Sequence, residues 1–193
     1  MEIKFTISED ILNKCKEFAK LSVDSSADKY ASRNQLDVEK IMKDIRNGKV
    51  GEEAVYSNLL DKFPHLSKPD HQVYSKKDKS WSPDLKSNNI SIAVKSQDIE
   101  SALAYEDSWV FQHGDGKKDC DSAVFKEVDL NHYVAFVSLN VPKRIGSIRA
   151  IVKIQWLHDN NLFKEMKKEN LRGNKLAVYL EDLEKFPNEL WQL

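Results

Sequence analysis

A chain of 193 residues, 40% hydrophobic and 32% charged, suits one globular domain with a substantial core. No run approaches the roughly 18 apolar residues of a membrane span, and the opening Met1-Glu2-Ile3-Lys4-Phe5 lacks the apolar stretch and cleavage site of a secretory leader. Thirty Lys and Arg against 31 Asp and Glu give a net charge of -1, which excludes a bulk electrostatic attraction to nucleic acid or anionic lipid. Cys15 and Cys120 show no metal-ligand spacing, so reduced thiols in a cytoplasmic protein are expected.

The chain opens with a helix predicted over 6–21: Ser8 is a plausible N-cap, and Ile11, Leu12, Cys15, Phe18 and Ala19 form one apolar stripe. The polar stretch 24–34 reads as a loop or a weak helix. Leu36, Ile41, Met42 and Ile45 mark a second amphipathic helix, with Asn47-Gly48 as its stop signal. A third helix is predicted over 49–63, with Val50, Ala54, Val55, Leu59, Leu60 and Phe63 inward and Pro64 ending it. Glu52 and Glu53 fall in its first turn, where carboxylates favour the positive end of the helix dipole.

Strand signals follow. Residues 72–74 predict one strand, then a lysine-rich loop runs to Trp81. Residues 84–86 and 90–96 predict a hairpin across a turn at Asn88-Asn89. In its second strand Ile90, Ile92 and Val94 share one face, and Ser91, Ala93, Lys95 and Gln97 share the other. A short helix over 98–105 and a strand over 108–112 come next. The apolar run 133–141 predicts the central strand of the sheet. Residues 148–157 alternate, with Ile148, Ala150, Val152, Ile154 and Trp156 on one face and Arg149, Lys153 and Gln155 on the other. A charged helix over 161–168 and a strand over 176–180 complete an α/β or α+β chain around one sheet.

Charge is unevenly spread. Residues 71–97 hold Lys76, Lys77, Lys79, Lys86 and Lys95 against Asp78 and Asp84 alone, and 141–153 carry Lys143, Arg144, Arg149 and Lys153 with no acid. Such segments are either solvated faces or phosphate contacts. Between them, the hairpin puts the carboxylate of Asp84 on one strand and the amine of Lys95 on the next. Metal-assisted cleavage of a phosphodiester needs carboxylates to hold a hard cation and a cationic group beside the phosphate.

The run Gly51-Glu52-Glu53-Ala54-Val55, then Pro83-Asp84, then Val94-Lys95-Ser96-Gln97 resembles the PD-(D/E)xK nuclease superfamily. That superfamily includes type II restriction endonucleases, phage nucleases and repair nucleases. The likeness covers roughly residues 49–141. It implies an α/β fold with a restriction-endonuclease-like core, α-β-β-β-α-β, whose mixed central β-sheet is flanked by helices. Residues 1–48 then form an N-terminal helical extension and 49–193 the nuclease-like domain. The implied activity is Mg²⁺-dependent endonucleolytic hydrolysis of DNA, restriction-type on duplex DNA, by a homodimer that needs two sites for two strands. Asp84 looks like the metal-binding aspartate, Lys95 like the family lysine, and Glu52 or its neighbour Glu53 like the helical acid. Gln97 matches a polar residue two places beyond the lysine.

Position 93 departs from the pattern, which has Asp or Glu as a further metal ligand where this chain has Ala93. Three readings stay open. An Asp or Glu has been replaced, leaving a chain that binds but hardly cuts; the acid comes from elsewhere, with Asp98 and Glu53 as candidates; or the fold binds DNA without cutting it. Lys76, Lys77, Lys79, Gln97, Arg149 and Lys153 are the expected DNA contacts, with Trp81 either stacking on a base or packing on the hairpin. His113, His132 and His158 show no ligand spacing.

Overall fold

The computed structural model describes residues 2–32, 37–74, 83–113, 132–169 and 175–193, for 24–32 the backbone alone. Its elements are β1 (Ile3–Thr6), α1 (Glu9–Ser32), α2 (Val38–Leu59), β2 (Leu85–Ser87), β3 (Ile90–Asp98), α3 (Ile99–Tyr105) and β4 (Ser108–Gln112). Then come β5 (His132–Asn140), β6 (Ile145–Lys153), α4 (Ile154–Asp159), β7 (Lys164–Glu165), β8 (Lys175–Tyr179) and α5 (Leu180–Leu183).

The strands of the described residues form two sheets rather than the one expected. The larger runs β1-β6-β5-β3-β2, and the smaller runs β4-β8-β7. In the larger sheet only β3 and β5 are parallel; β1–β6, β6–β5 and β3–β2 are antiparallel. Alternation along β5 explains its apolar sequence. Ala135, Val137 and Leu139 enter a core with Val50, Val55 and Leu59 of α2, whereas Val134 and Phe136 enter a second core with Trp109 and Phe111 of β4. A central strand buried on both faces has no polar side to show. The molecule is thus layered as helices, larger sheet, smaller sheet.

Several boundaries differ from the sequence reading. Ser8 caps α1 as expected, its Oγ accepting the Ile11 N–H at 3.2 Å, but the helix runs on to Ser32 and is preceded by β1. The second and third predicted helices are one. Asn47 does not stop α2, because its amide is buried and donates to Asp98 at 3.0 Å while its oxygen accepts from Arg46. The 48/49 boundary therefore falls inside α2, and residues before it supply a strand of the larger sheet. Residues 72–74 belong to no strand, and 161–168 hold β7 and turns in place of a helix.

In β6 the alternation breaks at Arg149. Phe136 pairs with Ala150 and Val137 with Ile148, so Arg149 is the extra residue of a β-bulge. Ile148 consequently faces the helix-side core while Ala150 and Val152 face the smaller sheet. The predicted strand ends at Lys153; Ile154 and Leu157, three apart, bury one side of α4 instead.

Candidate active site

The β2–β3 hairpin has the register Leu85 opposite Ile92 and Ser87 opposite Ile90, closed by Asn88-Asn89. β2 begins only at Leu85, so β3 outruns it beyond Ile92. There Asp84 takes over the role of a strand: its Oδ2 accepts the Val94 backbone N–H at 2.7 Å. Continuing the register puts Asp84 abreast of Ala93. The opposite edge of β3 pairs with β5 along its length, from Ser91 with His132 to Asp98 with Leu139.

Helix α2 covers the Ile92, Val94 and Ser96 face of β3. That brings the buried carboxylate of Glu52 up to the same edge. Burial, then the negative charge of Asp84, push the Glu52 carboxyl up to about 8, against the pull of Lys49. The Lys49 ammonium lies 2.6 Å from Glu52 Oε2 and 5.0 Å from the centre of the Phe18 ring. The buried Glu52 carboxyl thus lies between the half-buried Asp84 carboxylate, which disfavours its ionisation, and the Lys49 ammonium, which favours it.

Glu53 turns away to a different set of partners. Its Oε1 accepts from Lys14 at 2.7 Å and from His71 Nε2 at 2.8 Å. Burial holds His71 below the ordinary imidazole range despite Glu53, so the neutral ring donates through Nε2, while its buried Nδ1 has no hydrogen-bond partner among the described residues. Glu53 therefore ties α1, α2 and the 70–74 segment together. Asp98, the other candidate for a displaced metal ligand, caps α3 through the Ser101 N–H and pairs with Lys43 at 2.8 Å. Burial would raise its carboxyl, but Lys43 and Ser101 outweigh that and hold it below the usual range. Both acids are thus engaged with partners other than Glu52 and Asp84.

Ala93 and Lys95 share a face, as strand parity predicts, and it is the face away from α2. Ala93 packs against the core that holds Trp109, Phe111 and Phe136. The Lys95 ammonium lies 4.7 Å from the centre of the Phe111 ring. Glu52 and Lys95 thus approach β3 from opposite faces, with Asp84 on the edge between them.

The expected DNA contacts divide. Lys76, Lys77, Lys79 and Trp81 lie outside the described residues. Gln97 is no surface reader: its buried amide donates to the Glu106 carbonyl at 2.8 Å and accepts the Ser108 N–H at 2.9 Å. It also lines a cavity of about 760 Å³ beside Phe5, Ile99, Leu103 and Ile145, to which none of Glu52, Glu53, Asp84, Ala93 or Lys95 contributes. Arg149 is engaged by Glu2 at 3.0 Å and Glu184 at 3.3 Å. Lys153 extends over the Tyr133 ring, 5.9 Å from its centre. Cys15 is a buried free thiol pushed up to about 12 by burial, which leaves it inert.

Comparison with protein-family models, with curated proteins and with solved structures finds no match to this chain. The donors themselves are then the test for a metal. Among the described residues no group of three or more His, Cys, Asp or Glu side chains is disposed to hold one. Glu52 and Asp84 are oxygen donors of the kind Mg²⁺ takes, a hard cation that keeps several waters and binds through one or two carboxylates plus substrate oxygens. Three partners of this cluster escaped the sequence reading. Lys49 had a visible signal, three residues before Glu52 on one helix, but Lys14 and His71 had none, because their links to Glu53 are tertiary.

Proposed function

We propose that the chain is built as a Mg²⁺-dependent deoxyribonuclease of the PD-(D/E)xK type, one carboxylate short at Ala93. The observation that carries this reading is the convergence of Glu52 and Asp84 at the edge of β3, one residue from Lys95 along the strand. The topology supports it: a helix, an antiparallel hairpin, a crossover containing α3, and a return strand parallel to β3. Two features depart from the α-β-β-β-α-β order: its first strand has no counterpart among the described residues, and the crossover also carries β4 into the smaller sheet.

In this reading Glu52 and Asp84 hold Mg²⁺, which when bound supplies Lewis acidity at the phosphate and acidifies a coordinated water. Asp84 is anchored by the Val94 N–H, which fixes one of its carboxylate oxygens. Lys49, 2.6 Å from Glu52, is the partner that favours its charged form. Lys95, carried on the opposite face of β3 from Glu52, would reach the scissile phosphate around the edge that Asp84 occupies. Because one such site cuts one strand, duplex cleavage of the restriction type calls for a homodimer. No helix among the described residues is long and apolar enough to cross a membrane.

A second reading, a DNA-binding protein that keeps the fold without cutting, draws on the packing of Ala93 against an apolar core. Incubating Ala93→Asp and Ala93→Glu with plasmid and genomic DNA, with and without Mg²⁺, separates the two. Mg²⁺-dependent cleavage by either variant supports the nuclease. Intact DNA with both variants, together with retained DNA binding, overturns it in favour of the binding protein.

A further inference from the structure

α2 rests on β3 at a contact that breaks two local rules at once. Gly51 sits inside a helix, where glycine is disfavoured. Opposite it, the Ser96 hydroxyl is buried with no hydrogen-bond partner among the described residues. An ideal β-carbon on Gly51 would lie 1.9 Å from Ser96 Oγ, 3.3 Å from Ser96 Cβ and 3.4 Å from a Val94 methyl. The hydroxyl thus occupies the space a side chain at 51 would need. Neither choice helps stability, and unrewarded rule-breaking points to a requirement of function.

The neighbours of the contact say which requirement. Gly51 immediately precedes Glu52. Ser96 immediately follows Lys95, and Val94, the third member of the contact, holds Asp84 through its backbone N–H at 2.7 Å. We propose that Gly51 and Ser96 are positioning residues whose contact sets the gap between the Glu52 and Asp84 carboxylates. This rests on the nuclease reading of that pair. The hydroxyl is the spacer: it keeps α2 seated at a fixed height on β3, and the missing side chain at 51 is what permits the seating. Adding a methyl at 51 lifts the helix and carries Glu52 away from Asp84. Removing the hydroxyl opens room for that methyl, leaving a β-carbon contact of 3.3 Å that a shift of a few tenths of an ångström relieves.

The test is Mn²⁺ binding, read by the paramagnetic resonance of the free ion, alongside thermal melting. The variants are Gly51→Ala, Ser96→Ala, Gly51→Ala/Ser96→Ala, Ser96→Thr and, as a site control, Glu52→Gln. Gly51→Ala is expected to lose about tenfold or more in Mn²⁺ affinity, the scale on which supporting residues act on metal sites. Ser96→Ala removes the spacer and also weakens binding, and the double variant, whose methyl at 51 takes the hydroxyl's place, regains most of the loss. Ser96→Thr adds bulk from the strand side, leaves the helix unchanged and also weakens binding. It decides the matter, with the double variant, if Gly51→Ala does not fold. Variants that melt at altered temperatures but bind Mn²⁺ like the parent show a packing contact only and overturn the proposal, as does a double variant no better than Gly51→Ala. A parent chain that binds Mn²⁺ no better than Glu52→Gln overturns the nuclease reading itself, and the positioning role with it.

Discussion

The carboxylate of Asp84 is the charge that most disfavours ionisation of Glu52, although one residue precedes a strand and the other lies within a helix. Their meeting depends on β2 being short, so that Asp84 rather than a further strand residue satisfies Val94, and on α2 lying close over β3. Like charges brought together in a buried place are costly unless something cationic joins them. Lys49 supplies one such charge, and a divalent ion would supply more.

The first consequence concerns pH. Glu52 carries a folded value of about 8 against an ordinary glutamate value of 4.5. The folded state therefore binds the proton more tightly than the unfolded one, and stability falls as pH rises from about 4.5 to about 8, then levels. Glu52→Gln removes this slope and stabilises the protein by about 2–4 kcal/mol at pH 9. Urea unfolding of both proteins at pH 5 and pH 9 checks it: near-equal stability at pH 5 and a gap at pH 9 are expected.

Lys49 matters most where Glu52 is charged. Lys49→Met at pH 9 leaves a buried carboxylate beside Asp84 without its ammonium, a loss of about 3–5 kcal/mol. The double variant Lys49→Met/Glu52→Gln recovers most of it, because no charge is left to compensate. A double-variant cycle by thermal or chemical unfolding measures the coupling.

Glu106 has φ 63° and ψ 170°, a backbone conformation close to glycine's own. The Gln97 amide and the Ser108 hydroxyl both reach its carbonyl and hold it there. Glu106→Gly relieves the strain and raises stability by about 1 kcal/mol. The lost ion pair with Lys167 is exposed and offsets little of this. Denaturant midpoints of the two chains test the sign.

Phe136 is the keystone between the two sheets, with ring centres 4.9 Å from Trp109 and 6.3 Å from Phe111. Phe136→Ala empties that layer and costs about 3–5 kcal/mol. Its effect on unfolding exceeds that of truncating exposed Leu103, which is 84% accessible and buries little.

What was legible in the sequence is what local periodicity and turn chemistry encode. The hairpin, the face shared by Ala93 and Lys95, the N-cap at Ser8 and the central position of β5 all follow from such patterns. The misreadings arise where tertiary contacts override local signals. Asn47-Gly48 looks like a helix end until Asp98 and Arg46 satisfy the asparagine side chain. The bulge at Arg149 inverts an alternation that looked unbroken, and β4 departs to a second sheet because Trp109 and Phe111 pack over Phe136 rather than beside it. The candidate site was half legible. Glu52, Asp84 and Lys95 could be named, but not that Glu53 is spent on Lys14 and His71, or Gln97 on backbone.

The central claim is that Glu52 and Asp84 form one cation site. The most direct measurement is the titration of the Glu52 carboxyl by carbon NMR, with and without Mg²⁺. A midpoint near 8 is expected in the metal-free chain, moved well down by saturating Mg²⁺, with Asp84→Asn abolishing the metal's effect. A Glu52 midpoint that saturating Mg²⁺ leaves in place would contradict it.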